Sequence, residues 1–412
     1  NLLVWVATAH AHYGAELRLR SFYWHLRWGV VLAMGAGFLF VVLKPGAWPV
    51  AAPLISLWVL APVLAWRLSV PAKIANSQVL SPQERRSFRL IARGTWRFFD
   101  SFVDAEEIAL PPDNFQEDPE PVVAHRTSPT NVGLYLLSTM VAHDFGWIGT
   151  LDTTERLEAT LETMGRLRRV RGHFCNWYDT RDLRPLEPIY VSTVDSGNLA
   201  GHLIALAQGC RELMDRPPFG PEILEGVRDA LDLVLDSTER ARHPQLTQAV
   251  RAKQLREAAA AMSVHLKDAP TSLPEWAERF EKLEALAEDL LDAARALSIG
   301  TEGDGASEVL AWAEAVRASV QSHIRDLKTT SPGAAAALRN RLSALGLLAE
   351  EIVQTMDFRF LFDRSRRLFS IGYRVADGTL DPSCYDLLAS EARLASFVAI
   401  AKGDVSPKHW FL

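Results

Sequence analysis

The sequence predicts an all-α protein that starts with a transmembrane hairpin of two helices and carries one small β-hairpin. Two long uncharged apolar stretches lie near the start of the chain, between residues 26 and 66. From residue 81 onward, apolar residues recur at helical spacing, and alternation typical of strands is confined to residues 357–378. We therefore predict a membrane-proximal part, residues 1–78, followed by a helical part, residues 79–412.

The two apolar stretches have the length of membrane spans. Trp28 to Leu43 is 16 residues without a charge, and Trp48 to Trp66 is 19. A spanning helix needs about 20 apolar residues, with a lower limit of about 17. We predict spans at about residues 26–43 and 48–66. The alternative is a pair of buried core helices.

The basic residues near the hairpin predict its orientation. They flank its outer ends at Arg18, Arg20, Arg27, Arg67 and Lys73. The turn contains one charge, Lys44. Positively charged flanks stay in the cytoplasm, so we expect all residues after about 69 to face the cytoplasm.

Composition excludes several classes of function. The net charge is −6, and no run of Lys or Arg suggests a nucleic-acid groove. The three cysteines form no CxxC pair, which argues against a disulfide framework and a zinc site. Neither a GxxxxGK[ST] loop nor a GxGxxG motif occurs, so nucleotide binding has no support. We predict no metal and no cofactor for this chain.

Local signals define the helices of residues 79–412. Ser81-Pro82 with Glu84 is a helix start, and Asp152 with Glu155 is a capping pair for a second one. The predicted helices are residues 81–103, 126–145, 152–167, 195–214, 221–235, 244–266, 273–297, 306–327, 333–354 and 387–401. We expect four residues from them to be buried in one helical core: Trp96, Leu137, Leu203 and Phe397. The Pro-rich segment 104–125 is predicted to be a linker; alternatively, its Asn114 and Phe115 contact a ligand.

The segment from Arg171 to Leu203 concentrates aromatic, amide, carboxylate and hydroxyl side chains. Aromatic rings cover the C–H faces of sugars, while polar groups bind their hydroxyls at fixed angles. The alternative is a long ordered loop whose polar residues cap neighbouring helices. Asp179 and Asp195 are the best carboxylate pair by context, although we do not expect them to be the acid and nucleophile of a glycosidase.

Six strings resemble the cyclic β-1,2-glucan synthases of bacteria. They are RTSPTNVGLYLLSTMVAHDFGWI from Arg126, GHFCNWYDT from Gly172, YVSTVDSGNLAGHLIAL from Tyr190, MDFRFLFD from Met356, LFSIGY from Leu368 and YDLLASEARLASFVAIAKGDV from Tyr385. The resemblance implies a membrane region followed by the N-terminal part of a glycoamylase-like cyclisation domain, an incomplete (α/α)6 barrel. Cys175 and Cys384 depart from the pattern, because an aromatic residue is usual at both positions.

The resemblance also implies roles for residues. In the family, the catalytic carboxylates follow the stretch that corresponds to His409 to Phe411. We therefore expect no catalytic carboxylate in this chain, and we interpret the chain as part of a longer protein. The implied substrate-contacting residues are Asn176, Trp177, Tyr178, Asp179, Ser192, Thr193, Asp195, Ser196, Asn198, Tyr385 and Asp386.

The implied partners are a β-1,2-glucan chain, the lipid bilayer of the bacterial inner membrane and the remaining domains of the parent polypeptide, with no nucleic acid. UDP-glucose would serve the parent's transferase region, not this chain. The alternative is a non-catalytic, membrane-anchored helical scaffold or a glycan-binding module.

Overall fold

The computed structural model describes residues 19–69, 80–241, 246–299, 304–385 and 391–411. It is mostly helical, with 70% helix and 7% strand, as predicted. The chain divides into two compact units, residues 1–82 and residues 83–412.

The described part of the first unit that precedes residue 70 contains the helices α1 (Leu19–His25), α2 (Arg27–Leu43) and α3 (Trp48–Ser69), of which α2 and α3 are strongly apolar. A 3₁₀ turn, Pro45–Ala47, connects α2 to α3. Ala33 and Gly37 of α2 and Ala51 of α3 are buried. Their small side chains allow two helix backbones to approach closely.

The outer surface of this unit has the character of a membrane helix. Phe38 is 72% exposed and Val50 is 73% exposed. The 3₁₀ turn and α3 taken together, Pro45–Ser69, are long and apolar enough to cross a membrane. Helices α1 and α2 pass the same test only when taken together, and a 70° bend separates them. The described residues therefore hold one candidate membrane helix, or two if the bent pair is a single span.

The second unit begins with α4 (Pro82–Phe102) and contains two groups of helices. The first group is α5 (Pro129–Asp144), α6 (Thr150–Arg166), α7 (Thr193–Asp215), α12 (Pro332–Thr355) and α13 (Arg393–Ala401). Helix α7 lies at its centre, against α5, α12 and α13. At Gly197 a Cβ would lie 2.6 Å from the backbone nitrogen of Ala395, so glycine permits the close approach of α13.

The second group has a hydrophobic core of its own. It comprises α8 (Pro221–Arg240), α9 (Leu246–His265), α10 (Leu273–Ser298) and α11 (Asp304–Asp326). The chain leaves the first group at the end of α7 and returns with α12, which packs on α7. This bundle is therefore an insertion between α7 and α12, two helices that pack against each other.

Short strands connect the helices of the first group. They are β1 (Phe115–Gln116), β2 (Val122–Val123), β3 (Arg126–Thr127), β4 (Arg169–Val170), β5 (His173–Phe174), β6 (Tyr178–Asp179), β7 (Tyr190–Ser192), β8 (Phe362–Asp363), β9 (Leu368–Phe369), β10 (Gly372–Arg374) and β11 (Thr379–Leu380). Strand β10 pairs with both β7 and β11, while β8 pairs with β9. Phe358 and Phe360, which alternation assigned to a strand, lie instead in a 3₁₀ turn.

The four predicted core residues differ in burial. Trp96 and Leu203 are 2% and 0% exposed, and Leu137 is half-buried against the same core as Leu203. Trp96 belongs to a separate aromatic cluster with Tyr135. The prediction for Phe397 is wrong, because α13 turns Ala395, Val398 and Ala399 inward and leaves Phe397 62% exposed.

Candidate functional site

Pairing of the strands that precede α5 and α7 places the N-termini of these two helices side by side. Strand β3, before α5, pairs with β6, and β7, before α7, pairs with β10. Ser128 and Ser192 are the N-caps, and each side-chain oxygen accepts a hydrogen bond from the backbone N–H three residues later, at 3.2 Å. The Asn176 N–H donates to the carbonyl of Tyr190 at 2.7 Å, which fixes the intervening loop against β7.

A polar network centred on Asp195 occupies this position. Thr130 Oγ1 donates to Asp195 Oδ1 at 2.6 Å. The hydrogen-bonding partners of Asn176 orient its amide: Nδ2 donates to Asp195 Oδ2 at 2.8 Å, and Trp177 Nε1 donates to its Oδ1 at 3.0 Å. Asn198 Nδ2 donates to Thr130 Oγ1 at 3.3 Å. All five side chains are half-buried, so they are held in place and still reach the surface.

Asp113 extends the network from the segment that the sequence assigned to a linker. Its carboxylate accepts hydrogen bonds from Arg126 Nε at 3.2 Å and Nη2 at 3.0 Å, and from Asn131 Nδ2 at 3.1 Å. The Arg126 guanidinium lies 4.8 Å from the centre of the Trp177 ring. Trp177 is therefore fixed by a cation–π contact as well as by its indole N–H.

Two tyrosines adjoin the network from the β7–β10 side. Burial, together with Asp381 and Tyr385, raises the pKa of Tyr190 to about 12. Burial, followed by the carboxylates of Glu391 and Asp195, raises the pKa of Tyr385 above its ordinary value. Both phenols are therefore protonated at neutral pH and can donate hydrogen bonds.

The structure brings together five of the predicted site residues: Asn176, Trp177, Asp195, Asn198 and, through its electrostatic interaction with Asp195, Tyr385. Ser192 lies beside them as the N-cap of α7. Asp386 lies outside the described residues. The sequence did not indicate four further residues of the network, because strand pairing and the contact between two helix ends bring them together. They are Asp113, Arg126, Thr130 and Asn131.

Three of the predicted residues are core residues, which corrects their assignment to a sugar cleft. Tyr178 is 1% exposed, and its hydroxyl donates to the carbonyl of Arg168 at 2.6 Å. Thr193 is 0% exposed and donates to the carbonyl of Ser370 at 2.7 Å. Ser196 is buried in the same helix. Their polar groups serve the fold, so we leave them out of the candidate site.

Asp179 also has a local structural partner. Its Oδ1 accepts a hydrogen bond from the backbone N–H of Arg181 at 2.9 Å. Burial raises the pKa of Asp179, but the N–H and guanidinium of Arg181 outweigh it and lower this pKa below its ordinary value. The carboxylate is ionised and stabilises the turn after β6, and no hydrogen bond joins it to the described part of the Asp195 network.

Within the described ranges, no cluster of three or more His, Cys, Asp or Glu side chains is arranged to hold a metal ion. His173, near Cys175, is buried edge-on against Phe358 and Phe360. Burial lowers the pKa of His173 to about 4, so the ring is neutral at physiological pH. It packs as an aromatic core residue.

The arrangement is suited to binding a neutral polyol. A carboxylate has about four acceptor positions, and two of those on Asp195 are occupied by Thr130 and Asn176. The others can accept hydrogen bonds from hydroxyl groups. The Trp177 ring beside them offers an apolar surface of the kind on which sugar C–H groups stack.

No protein-family model matches the chain. It is 44% identical over 360 residues, or 87% of its length, to the cyclic β-(1,2)-glucan synthase NdvB of Rhizobium meliloti (strain 1021). The aligned region spans 13% of that relative. By this identity over most of its residues, the chain belongs to the cyclic β-1,2-glucan synthase family, in which it corresponds to one segment.

Proposed function

We propose that the chain is part of an enzyme that makes and cyclises β-1,2-glucan, and that residues 83–412 contribute the surface that holds the glucan during transglycosylation. The observation that carries this proposal is the Asp195 network with Trp177 at its side. The name of the relative supplies the substrate class.

The binding mode follows from the hydrogen bonds already made. Thr130 and Asn176 donate to Asp195 and hold its carboxylate in one orientation. A glucose hydroxyl can then bond to the remaining lone pairs without reordering the side chain, which lowers the entropic cost of binding. The Tyr385 phenol stays protonated and can donate a hydrogen bond to the sugar, and Trp177 supplies the stacking surface.

The reacting carboxylates complete the proposal. Retaining transglycosylation needs a nucleophile and an acid/base about 5 Å apart across the cleft. We assign these groups to residues of the parent polypeptide after Leu412 and give Asp195 a substrate-holding role. The helices α5–α7, α12 and α13 would then be the N-terminal part of a glycoamylase-like (α/α)6 barrel.

The attachment to the membrane belongs to the same proposal. Spans at about residues 26–43 and 48–66 would place everything after residue 69 on the cytoplasmic side of the bacterial inner membrane. The basic residues that flank the hairpin support this orientation. UDP-glucose would be used elsewhere in the parent.

The test compares the 412-residue chain with the full-length parent, using linear β-1,2-glucan. We expect the chain to bind the glucan weakly and not to convert it, while the parent forms cyclic product. In the parent, Asp195→Asn should weaken conversion without abolishing it. Turnover by the chain itself, lost on changing Asp179 or Asp195, would show that the reacting carboxylates lie among the residues described above.

A second candidate function is a scaffold or glycan-binding module without catalysis. The bundle α8–α11 favours it, because this large insertion has a hydrophobic core of its own, which contains none of the residues of the Asp195 network. This candidate predicts that Asp195→Asn lowers glucan affinity in the parent but leaves the maximal rate of cyclisation unchanged.

A further inference from the structure

Helix α4 has one face that is packed and one that is not. On the packed face, Arg93 and Trp96 are buried, and Arg89 Nη2 bonds to Asp229 Oδ2 of α8 at 2.7 Å. On the opposite face, Phe88 and Ile91, one helical turn apart, are 59% and 66% exposed. We call these two residues the outer face of α4. Together they form a small exposed apolar patch on the helix surface.

The outer face lies close, along the chain, to the candidate membrane helix. Helix α3 ends at Ser69 and α4 begins at Pro82. Thirteen Cα–Cα steps reach at most about 45 Å when fully extended. If α3 spans a bilayer, the start of α4 therefore remains within about 45 Å of the membrane surface.

The charge of this region favours an anionic surface. Between Arg67 and Arg97 the sequence has seven basic residues and one acidic residue, in a chain whose net charge is −6. Several of these arginines are engaged within the protein: Arg86 bonds to Asp232 at 2.7 Å, and Arg93 is buried. Arg67 and Arg85 are exposed. Exposed cations beside an apolar stripe are the pattern of helices that lie in the headgroup region.

We propose that the outer face of α4 lies in the headgroup region of a bilayer that contains anionic lipid. Phe88 and Ile91 would enter the apolar boundary, with Arg85 at the phosphate level. This contact would hold residues 83–412 at the membrane surface by a second attachment besides α3. The proposal rests on membrane attachment of the hairpin, which is part of the proposed function, and not on glucan binding.

The experiment uses the full chain in nanodiscs of phosphatidylcholine and phosphatidylglycerol. A nitroxide is attached at Ile91→Cys, and the control label is at Val264→Cys on α9, an apolar position that is 62% exposed. Cys384 is replaced by Ser in both, since the other cysteines are buried. Collision rates with oxygen, which partitions into lipid, are compared with those of a water-soluble nickel chelate.

The expected result is an oxygen-to-nickel accessibility ratio several-fold higher at position 91 than at position 264, decreasing when Arg85→Gln is added. A chain that enters nanodiscs but gives equal ratios at both positions would overturn the inference and leave the membrane span intact. An immobilised label at position 91 that neither reagent reaches would show a protein cover instead, and would also overturn it. A chain that does not enter nanodiscs would refute the span itself.

Discussion

Thr130 donates a 2.6 Å hydrogen bond to Asp195, and this bond joins the first turn of α5 to the first turn of α7. The same hydroxyl accepts a hydrogen bond from Asn198 at 3.3 Å. One threonine therefore connects a carboxylate and an amide that lie on neighbouring turns of another helix. The geometry of the site depends on this contact between two helix ends.

We predict that Thr130→Val, which keeps the shape and removes the hydroxyl, weakens glucan binding. A hydrogen bond to a charged group contributes about 1.5–3 kcal/mol, and its loss frees Asp195 to change orientation. The matched control is Thr330→Val, because Thr330 is also half-buried and its hydroxyl donates to a backbone carbonyl, that of Leu327, at 2.7 Å. Calorimetric titration with linear β-1,2-glucan should show a loss for Thr130→Val alone. Equal affinities for both variants would remove the Asp195 network from the binding site.

A second prediction separates the ring of Trp177 from its N–H. Trp177→Phe keeps an aromatic surface and loses the bond to Asn176, whereas Trp177→Ala loses both the bond and the contact with Arg126. We expect Ala to weaken glucan binding about tenfold, or about 1.4 kcal/mol, and Phe to weaken it less. The same titration measures both variants. If Phe and Ala lose the same affinity, the ring does not stack on the sugar.

The sequence predicted local features well because their signals are local. Apolar spacing located helices such as α5 and α7 to within a few residues, and Ser81-Pro82 marked the start of α4. The sequence analysis failed where the residue that stabilises a helix end is distant in the chain. Asp152 with Glu155 was predicted to cap α6, but the first N–H groups of that helix bond to Asp326 of α11.

The same limit explains the mixed result for the site. Polar and aromatic density drew attention to the segment around Asp195, because those side chains are close together in the chain, and the structure joins several of them in one hydrogen-bonded network. Density does not show which side of a strand faces the core, so Tyr178 was assigned to the cleft although its ring is buried. Asp113 was missed since a Pro-rich acidic segment gives no signal of the arginine that it binds.

A third prediction tests the correction for Tyr178. Tyr178→Phe leaves the buried carbonyl of Arg168 and the N–H of Cys175 without their partner. We expect a loss of about 1–3 kcal/mol in the free energy of unfolding, the cost of buried unsatisfied groups, with unchanged glucan affinity. Chemical denaturation of the full chain in detergent measures the first quantity. Tyr385→Phe is the comparison and should show the reverse: little loss of stability and weaker binding.

A fourth prediction concerns the contact between α7 and α13. Gly197→Ala places a methyl group 2.6 Å from Ala395, so α13 must move. Overpacking of this kind costs about 1–3 kcal/mol. The control is Gly94→Ala on α4, where nothing lies within 4 Å of the new Cβ, and where Ala should stabilise the helix by about 0.5–1 kcal/mol. Opposite changes in unfolding free energy are expected, and a neutral Gly197→Ala would contradict the packing described for α13.

The last prediction follows from the capping carboxylate of α6. Asp326 accepts hydrogen bonds from the N–H groups of Thr150 at 2.8 Å and Leu151 at 2.9 Å. Burial raises the pKa of Asp326 to about 6, and Asp152 adds to this, while the two N–H groups and His143 oppose it. The folded state therefore binds a proton more tightly than the unfolded state, whose carboxyl has its ordinary pKa of about 3.9.

The direction in which stability changes with pH follows from the linkage between proton binding and folding. A raised carboxyl pKa contributes stability that is fully present below the unfolded pKa and is lost as the pH rises through the folded value. The stability of the wild type relative to Asp326→Asn should therefore fall by about 2–3 kcal/mol between pH 4 and pH 7. Asn retains one acceptor, so the hydrogen bond that it loses adds a penalty that does not depend on pH. Urea denaturation of both chains across this range measures the difference, and a relative stability that stays constant or rises with pH would show that Asp326 is ionised throughout.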